Sequence, residues 1–282
     1  EVLVIREEGG SVRTAARIVE LAQKMRAEAD QVPVEEVSID RLILGTECGG
    51  SDPTSGLAAN PVVGICSELL VEKGATVILS ETPELIGTEV ILGERCRDEK
   101  VKEQLLSMIK AYEQDFLLAG ENPRSGNPTP GNIAGGITTL EEKSLGCIHK
   151  AGNCVIQEVV PYGAPITQKG LVVMDTPGQD IASIVGMAAA GAQMVVFTTG
   201  HGTPTGSGIV PVIKLTANQE TAELMKDNID FDCSQVLTKG KAIEEAGREL
   251  FALVERVARG QETKAEALGF QDVSLARYCN FA

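Results

Sequence analysis

Four polar segments of this sequence carry side chains capable of acid–base or metal chemistry. The first, Glu47-Cys48-Gly-Gly-Ser-Asp52, places two carboxylates and a thiol around two glycines, which let a backbone approach a ligand closely. Glu81 and Glu84 offer carboxylates from the second segment. Carboxylates can ligate a metal or act as an acid and base pair, and the Cys48 thiol suits a soft metal. The four segments span residues 45–52, 80–84, 175–178 and 198–208.

The chain has two histidines, His149 and His201. Imidazole is a base and a metal ligand near neutral pH, so each histidine is a candidate functional group. His201 lies between glycines in a threonine-containing loop, which makes it the better candidate. A structural or surface role is the simpler interpretation of His149.

Each polar segment directly follows a predicted strand. In open parallel sheets, ligands bind beyond the carboxyl ends of the strands. The alternative is that Asp52, Thr82 and Asp180 only cap helices, which these residue types do well. Capping explains single residues better than it explains all four segments together.

Hydrophobic periodicity predicts an α/β fold. The β-α-β-α-β order favours a parallel, Rossmann-like sheet with helices on both faces and active-site loops at the strand carboxyl ends. Strands are predicted at residues 2–5, 42–44, 75–79, 171–174 and 194–197, and helices near 15–25, 55–73, 96–118, 180–190 and 241–258.

Residues 122–136 separate two α/β halves, predicted as 1–121 and 122–282, with one continuous domain as the alternative. This segment holds three prolines and four glycines, so we expect no regular structure in it. Because it has a single Ser and no Glu, unlike a flexible linker rich in these residues, we interpret it as a structured functional loop.

The composition limits the kinds of binding partner and the cellular compartment that we expect for this protein. The net charge of −15 argues against nucleic acid, because the chain would repel phosphate backbones. Seven scattered cysteines without a C-x-x-C pair indicate a reducing compartment, so we expect a cytoplasmic protein. Residues 184–197 fall short of the roughly 18 apolar residues of a membrane span. The chain starts at Glu1 without Met, and we expect a piece of a longer protein.

A nucleotide cofactor is not expected. Asp175-Thr-Pro-Gly178 matches the Asp-x-x-Gly element of GTP-binding proteins, but that class also needs a G-x-x-x-x-G-K-[ST] loop. The closest segment, Gly126 to Asn132, has Asn where the lysine must be. No G-x-G-x-x-G opens a helix either.

Several longer motifs resemble the large C-terminal region of the altronate/galactarate dehydratase family, which includes the sulfolactate sulfo-lyase large subunit. The resemblance covers about residues 40–235. The motifs are Cys48-Gly-Gly-Ser-Asp52, Glu81-Thr-Pro-Glu84, Asn127-Pro-Thr-Pro-Gly-Asn132, Thr139-Leu-Glu-Glu-Lys-Ser-Leu-Gly-Cys147, Met174-Asp-Thr-Pro-Gly178 and Phe197-Thr-Thr-Gly200.

The resemblance implies β-elimination of water from a small anionic sugar acid, giving a 2-keto-3-deoxy acid, with Fe²⁺ or Mn²⁺ as cofactor. It also implies a small N-terminal domain or separate small subunit as a partner, and we expect a homo-oligomer. Several members are expected to carry Arg where this chain has His201. If that Arg binds a substrate carboxylate, its replacement leaves the identity of the substrate open.

We assign roles on this basis. The predicted catalytic residues are Glu47, Asp52, Glu81, Asp175 and His201, with His201 as general acid. Glu47, Asp52 and Glu81 are also the predicted metal ligands. Predicted substrate-binding residues are Cys48, Gly49, Gly50, Ser51, Asn60, Thr82, Asn132, Thr176 and Thr203.

Three other functions stay open. The chain could be a sulfolactate sulfo-lyase large subunit, or a hydro-lyase whose distant cysteines hold an iron–sulfur cluster. It could also be a non-catalytic subunit that binds a sugar acid.

Overall fold

The computed structural model describes residues 2–274, which divide into two compact units at Ser38 and Ile39. The first unit contains turns and helix α1 (Ser11–Ala29), as predicted. The strand predicted at residues 2–5 is wrong. Carbonyls of Val4 and Ile5 accept hydrogen bonds from the amides of Glu7 and Gly10 at 2.8 and 2.9 Å, so this apolar run forms turns instead of pairing with a strand.

The second unit contains an all-parallel sheet of seven strands within the described residues, which confirms the predicted fold class. Its order is β3-β4-β2-β1-β5-β6-β7. The strands are β1 (Ile43–Cys48), β2 (Thr76–Leu79), β3 (Ile156–Val160), β4 (Gly170–Met174), β5 (Met194–Thr198), β6 (Val212–Thr216) and β7 (Phe231–Asp232).

Helices connect these strands. They are α2 (Asn60–Glu72), α3 (Glu89–Glu94), α4 (Glu99–Leu118), α5 (Pro123–Gly126), α6 (Pro130–Gly135), α7 (Leu140–Cys147), α8 (Asp180–Ala189), α9 (Gln219–Leu224), α10 (Gln235–Lys239), α11 (Ile243–Ala258) and α12 (Lys264–Ala267). A π-helical turn (Ser55–Ala59) precedes α2, and 3₁₀ turns lie at Ile39–Arg41, Thr82–Leu85 and Ile148–Ala151.

Apolar side chains of the sheet alternate between two cores, so both faces are buried. Val77 and Leu79 of β2 belong to the core that includes side chains of α2, α4 and α11. Ile78, between them, belongs to a second core that includes Ile184 and Met187 of α8. The helices therefore lie on both faces, as predicted.

The segment 122–136 contains α5 and α6, so the expectation that it lacks regular structure is wrong. Pro123 and Pro130 begin these helices, a position where the missing proline N–H is not needed. The segment also packs on the rest of the unit. Asn127 donates to a Glu84 carboxylate oxygen at 3.1 Å, and Asn132 donates to the Ser51 carbonyl at 2.8 Å.

The predicted division at 121/122 stays a prediction, although strands from both sides of it lie in one sheet. No helix between residues 2 and 274 is both long and apolar enough to cross a membrane. The cysteines in the same range are free thiols, and Cys279 lies outside the described residues.

Candidate active site

The four polar segments meet because β4, β2, β1 and β5 are neighbours in the sheet. Parallel neighbours end at the same edge, so the segments that follow them lie side by side. Backbone hydrogen bonds join these segments beyond the strands. The Thr82 amide donates to the Thr176 carbonyl at 3.0 Å, and the Gly49 amide donates to the Thr198 carbonyl at 3.1 Å.

Glu81 lies at the middle of this edge of the sheet. Its backbone is left-handed, with φ of 69°, an uncommon conformation for a residue with a side chain. The Glu81 amide donates to Thr176 Oγ1 at 2.6 Å, which holds the strained residue in place. Its buried carboxylate accepts hydrogen bonds from the Cys48 amide at 3.0 Å and from Cys48 Sγ at 3.3 Å. Glu81 therefore joins the ends of β1, β2 and β4.

Helix α7 and the 3₁₀ turn after it add two groups to this centre. Lys150 is fully buried, and its ammonium forms an ion pair with Glu81 and lies 3.1 Å from Cys48 Sγ. Cys147 Sγ lies 4.0 Å from a Glu81 carboxylate oxygen. The Lys150 carbonyl accepts a hydrogen bond from Ser67 of α2 at 2.7 Å, which fixes the turn against the core.

Three of these side chains can hold a metal. One ligand atom each from Cys48, Glu81 and Cys147 lie within 4.8 Å of one another, and no other such group of three occurs between residues 2 and 274. Two thiols and a carboxylate suit Fe²⁺ or Zn²⁺ better than Mn²⁺, which prefers oxygen ligands. Of the predicted ligands, Glu81 belongs to this group, whereas Glu47 and Asp52 do not.

Electrostatics keep Lys150 charged. Burial alone would lower the pKa of its ammonium, but Cys147, Cys48 and Glu81 oppose this and raise the pKa well above its usual value. The pKa of the Cys48 thiol is raised by its hydrogen bond with Cys147 and by burial. Burial also raises the pKa of Glu81, although Lys150 opposes it. The centre thus contains one buried cation surrounded by acidic groups.

Glu47 lies behind this centre and is fully buried. Its Oε2 accepts hydrogen bonds from Ser183 at 2.6 Å and from Ser80 at 3.0 Å, while Oε1 has no partner among the described residues. Burial, and then the charge of Glu81, raise the pKa of Glu47 well above its usual value. A carboxyl in this environment favours the protonated form.

A second pair of charges lies next to the centre. Lys143 of α7 donates to Glu84 at 2.8 Å and to Asn127 Oδ1 at 2.9 Å.

Asp180, at the start of α8, lies close to Gly49. A Cβ atom at position 49 would be 2.4 Å from the Asp180 carboxylate. Burial and the charges of Glu81 and Glu84 raise the pKa of Asp180 to about 7.

A cavity of about 250 Å³ opens beside Cys48. Its wall includes three other predicted site residues and two side chains from the α7 region: Ser51, Asp52, Asn60, Lys143 and His149. Ser51 Oγ is buried and lacks a hydrogen-bond partner in the described part of the chain. Burial and nearby Arg95 lower the pKa of His149, so its imidazole is neutral near pH 7. The cavity combines a free hydroxyl, a cation and a neutral imidazole.

Other predicted site residues lie around this cavity. The carboxylate of Asp52 accepts hydrogen bonds from Thr54 and Asn218 at 2.6 and 2.8 Å. The side-chain amide of Asn60 donates to the Gly146 carbonyl and accepts a hydrogen bond from the Thr198 hydroxyl. Gly50 adopts a positive φ of 58° where the chain turns away from β1.

Several predicted residues do not line the cavity. Thr82 donates to Asp175 at 2.6 Å, and burial raises the pKa of that carboxyl. Thr203 bonds Thr205 at 2.8 Å. His201 is exposed, with Nε2 3.1 Å from the Gly131 carbonyl oxygen. The histidine that lines the cavity is His149, which is also exposed on its outer side.

Sequence reasoning missed Lys143, Cys147 and Lys150 as site residues. Their spacing of four and three residues places them on one face of a helix, which was an available signal. Asp180, which the sequence suggested only as a helix cap, and Ser183 were also missed as site residues, because only the packing of α8 against the sheet brings them to the centre.

The sequence is similar to a family of known proteins over most of its length. Residues 39–280 match the family model "D-galactarate/Altronate dehydratase, C-terminal". The chain is 42% identical over 241 residues to an altronate dehydratase of Escherichia coli and 38% identical over 245 residues to its L-threo-forming galactarate dehydratase. These alignments cover 86% and 87% of this chain but 48% and 47% of the relatives.

A third relative is the (2R)-sulfolactate sulfo-lyase subunit beta of Chromohalobacter salexigens, 37% identical over 274 residues, which are 96% of this chain and 70% of the relative. The chain spans about half the length of the curated dehydratases that it matches. By its sequence match, the chain belongs to the D-galactarate/altronate dehydratase family and corresponds to that family's C-terminal region.

Proposed function

We propose that this chain carries the catalytic centre of a hydro-lyase that removes water from a sugar acid to give a 2-keto-3-deoxy acid. The observation that carries the proposal is the position of Cys48, which belongs both to the buried Cys48–Glu81–Cys147 group and to the cavity wall. A ligand in the cavity would thus lie directly beside the group of metal donors. The names of the relatives support the reaction and the substrate class.

Cys48, Glu81 and Cys147 would hold a divalent ion, with Fe²⁺ favoured over Mn²⁺ by the two sulfur donors. When bound, such an ion supplies Lewis-acid stabilisation of the negative charge that develops next to a carboxylate.

The cavity residues supply the remaining chemistry. Lys143 would bind the substrate carboxylate, and the unpartnered Ser51 hydroxyl would bind a substrate hydroxyl. His149, neutral at pH 7, would accept the proton from the carbon next to the carboxylate. The protonated imidazole would then return that proton to the departing hydroxyl, which leaves as water. In this scheme His149 takes the role that the sequence suggested for His201.

The test is formation of a 2-keto acid by the anaerobically purified chain, loaded with Fe²⁺ and offered altronate, galactarate and sulfolactate beside a chelator control. We expect metal-dependent keto acid from one of the sugar acids. Cys147→Ser should lower the rate at least about tenfold, while Cys66→Ser, another buried cysteine, should keep it. Equal rates of the two variants would refute the metal assignment.

Other outcomes would favour the alternatives. Release of sulfite from sulfolactate would move the chain to the sulfo-lyase branch, and a brown protein absorbing near 400 nm would indicate an iron–sulfur cluster. Tight binding of a sugar acid without turnover would indicate a non-catalytic binding subunit.

We further propose that a small N-terminal domain or a separate small subunit completes the enzyme. Two features support this: the chain matches about half of the curated dehydratases, and one relative is named as a subunit. The homo-oligomeric state and the cytoplasmic location remain predictions.

A further inference from the structure

The charges around the cavity are unequal in number. Lys143 is the one Lys or Arg side chain that lines it within residues 2–274. Two carboxylates line the same cavity, Asp52 and Glu142. Glu84, which pairs with Lys143 at 2.8 Å, already balances the charge of that lysine.

We infer that the cavity selects a polyhydroxy acid with a single negative charge, bound by Lys143, and disfavours acids with two negative charges. This inference rests on the proposed function and names the substrate class within it.

Lys143 has the capacity to bind one carboxylate. An ammonium group has three N–H donors, and Glu84 and Asn127 accept from two of them. The third can donate to a ligand, since Lys143 lines the cavity while its side chain is only 11% exposed. A hydrogen bond between charged groups at such a site is stronger than one on the open surface.

A second anionic group would find no matching cation. Asp52 is buried, and its two carboxylate oxygens already accept hydrogen bonds from Thr54 and Asn218. Glu142, in the first turn of α7, lines the same cavity and would also repel this group. Like charges without a cation between them oppose binding.

The buried centre does not supply the missing charge. Its one lysine, Lys150, pairs with Glu81 and contacts Cys48. No second lysine of the described chain is free to compensate a further anion there, so the cavity keeps its two carboxylates beside a single, already paired lysine.

The candidate substrates differ in the number of their negative charges. A six-carbon aldonate such as altronate has one carboxylate, whereas an aldarate such as galactarate has two. Sulfolactate carries a carboxylate and a sulfonate. The cavity should therefore favour the aldonate.

Calorimetric titration of the full chain with altronate and galactarate tests this, with keto acid measured in the same samples. We expect altronate to bind at least about tenfold more tightly, the size of effect typical of one unmatched charge. Lys143→Met should weaken altronate binding about 10–100-fold, and Lys143→Arg should retain most of it. Glu142→Gln should improve galactarate binding more than altronate binding. Lys110→Met, at an exposed lysine of α4, is the matched control and should change neither.

Equal or tighter binding of galactarate would overturn the inference. So would unchanged altronate affinity in a folded Lys143→Met variant, with circular dichroism as the check on folding, or no binding of either acid by the folded parent chain. Different outcomes test the proposed function. Selective binding of altronate without formation of keto acid would refute the dehydratase activity but not the charge selectivity. Formation of keto acid from both acids, bound with equal affinity, would refute the charge selectivity but not the dehydratase activity.

Discussion

The buried ion pair between Lys150 and Glu81 gives a sharp test of the structure. Lys150→Met keeps the length and the apolar stem of the side chain but removes its charge. Glu81 would then be a buried carboxylate without its cation, beside the Cys48 thiol. Removing one partner of a buried pair costs about 3–5 kcal/mol. For a unit of this size, that corresponds to a fall in melting temperature of roughly 6–20 °C.

The double variant Lys150→Met/Glu81→Gln should recover much of the lost stability, because the orphaned charge disappears together with its partner. Lys241→Met is the control. Lys241 pairs with Glu249, whose side chain is 47% exposed, and the loss of such a surface pair costs about 0–1 kcal/mol.

Chemical denaturation at pH 7 of the parent chain, these three variants and Glu81→Gln alone measures these differences. A Lys150→Met variant within about 1 kcal/mol of the parent chain would refute the ion pair, because that is the range expected of a surface pair. Strictly additive losses in the double variant would also contradict direct contact between Lys150 and Glu81.

Three further changes test the surroundings of the centre. Gly64→Ala should destabilise by about 1–3 kcal/mol in thermal melts, because a Cβ would lie 2.3 Å from the His149 carbonyl oxygen, whereas Gly93→Ala should be neutral or stabilising. Ser183→Ala should lower the free energy of unfolding in urea by about 1–3 kcal/mol, since it removes the 2.6 Å hydrogen bond to Glu47. An unchanged free energy of unfolding would show that this hydrogen bond does not stabilise the fold. The folded-state pKa of Asp180, about 7, exceeds its usual 3.8, so Asp180 costs stability as pH rises through that interval. Asp180→Asn should therefore gain stability over the parent chain between pH 5 and pH 8, by at most about 4 kcal/mol, and a pH-independent difference in urea midpoints would contradict this.

The correctly predicted strands contain continuous apolar runs, such as residues 77–79 and 171–174. Strands β3 and β6 escaped prediction because polar residues interrupt them. In β6, the fully buried Lys214 donates to the Pro204 and Thr205 carbonyls, a tertiary arrangement that a local pattern does not reveal. The run Val2–Ile5 is the opposite case, since apolar residues alone do not make a strand without a partner.

The candidate site was partly predictable for a topological reason. Glu47, Cys48 and Glu81 end neighbouring parallel strands, so predicting the sheet also predicted that they meet. Cys147 and Lys150 come from a helix about 100 residues further along the chain than Cys48, and only packing places them there. The cavity wall depends on the same packing, so the sequence offered no signal that His149, and not His201, lines the cavity.

Lys143 and Cys147 belong to α7, and Lys150 belongs to the 3₁₀ turn that continues it without a break. The first lines the cavity, the second can ligate a metal, and the third pairs with Glu81. The hydrogen bond from Ser67 to the Lys150 carbonyl ties the end of this segment to α2. One short stretch of chain therefore contributes to both the cavity wall and the buried centre, so a substitution that displaces it should alter both.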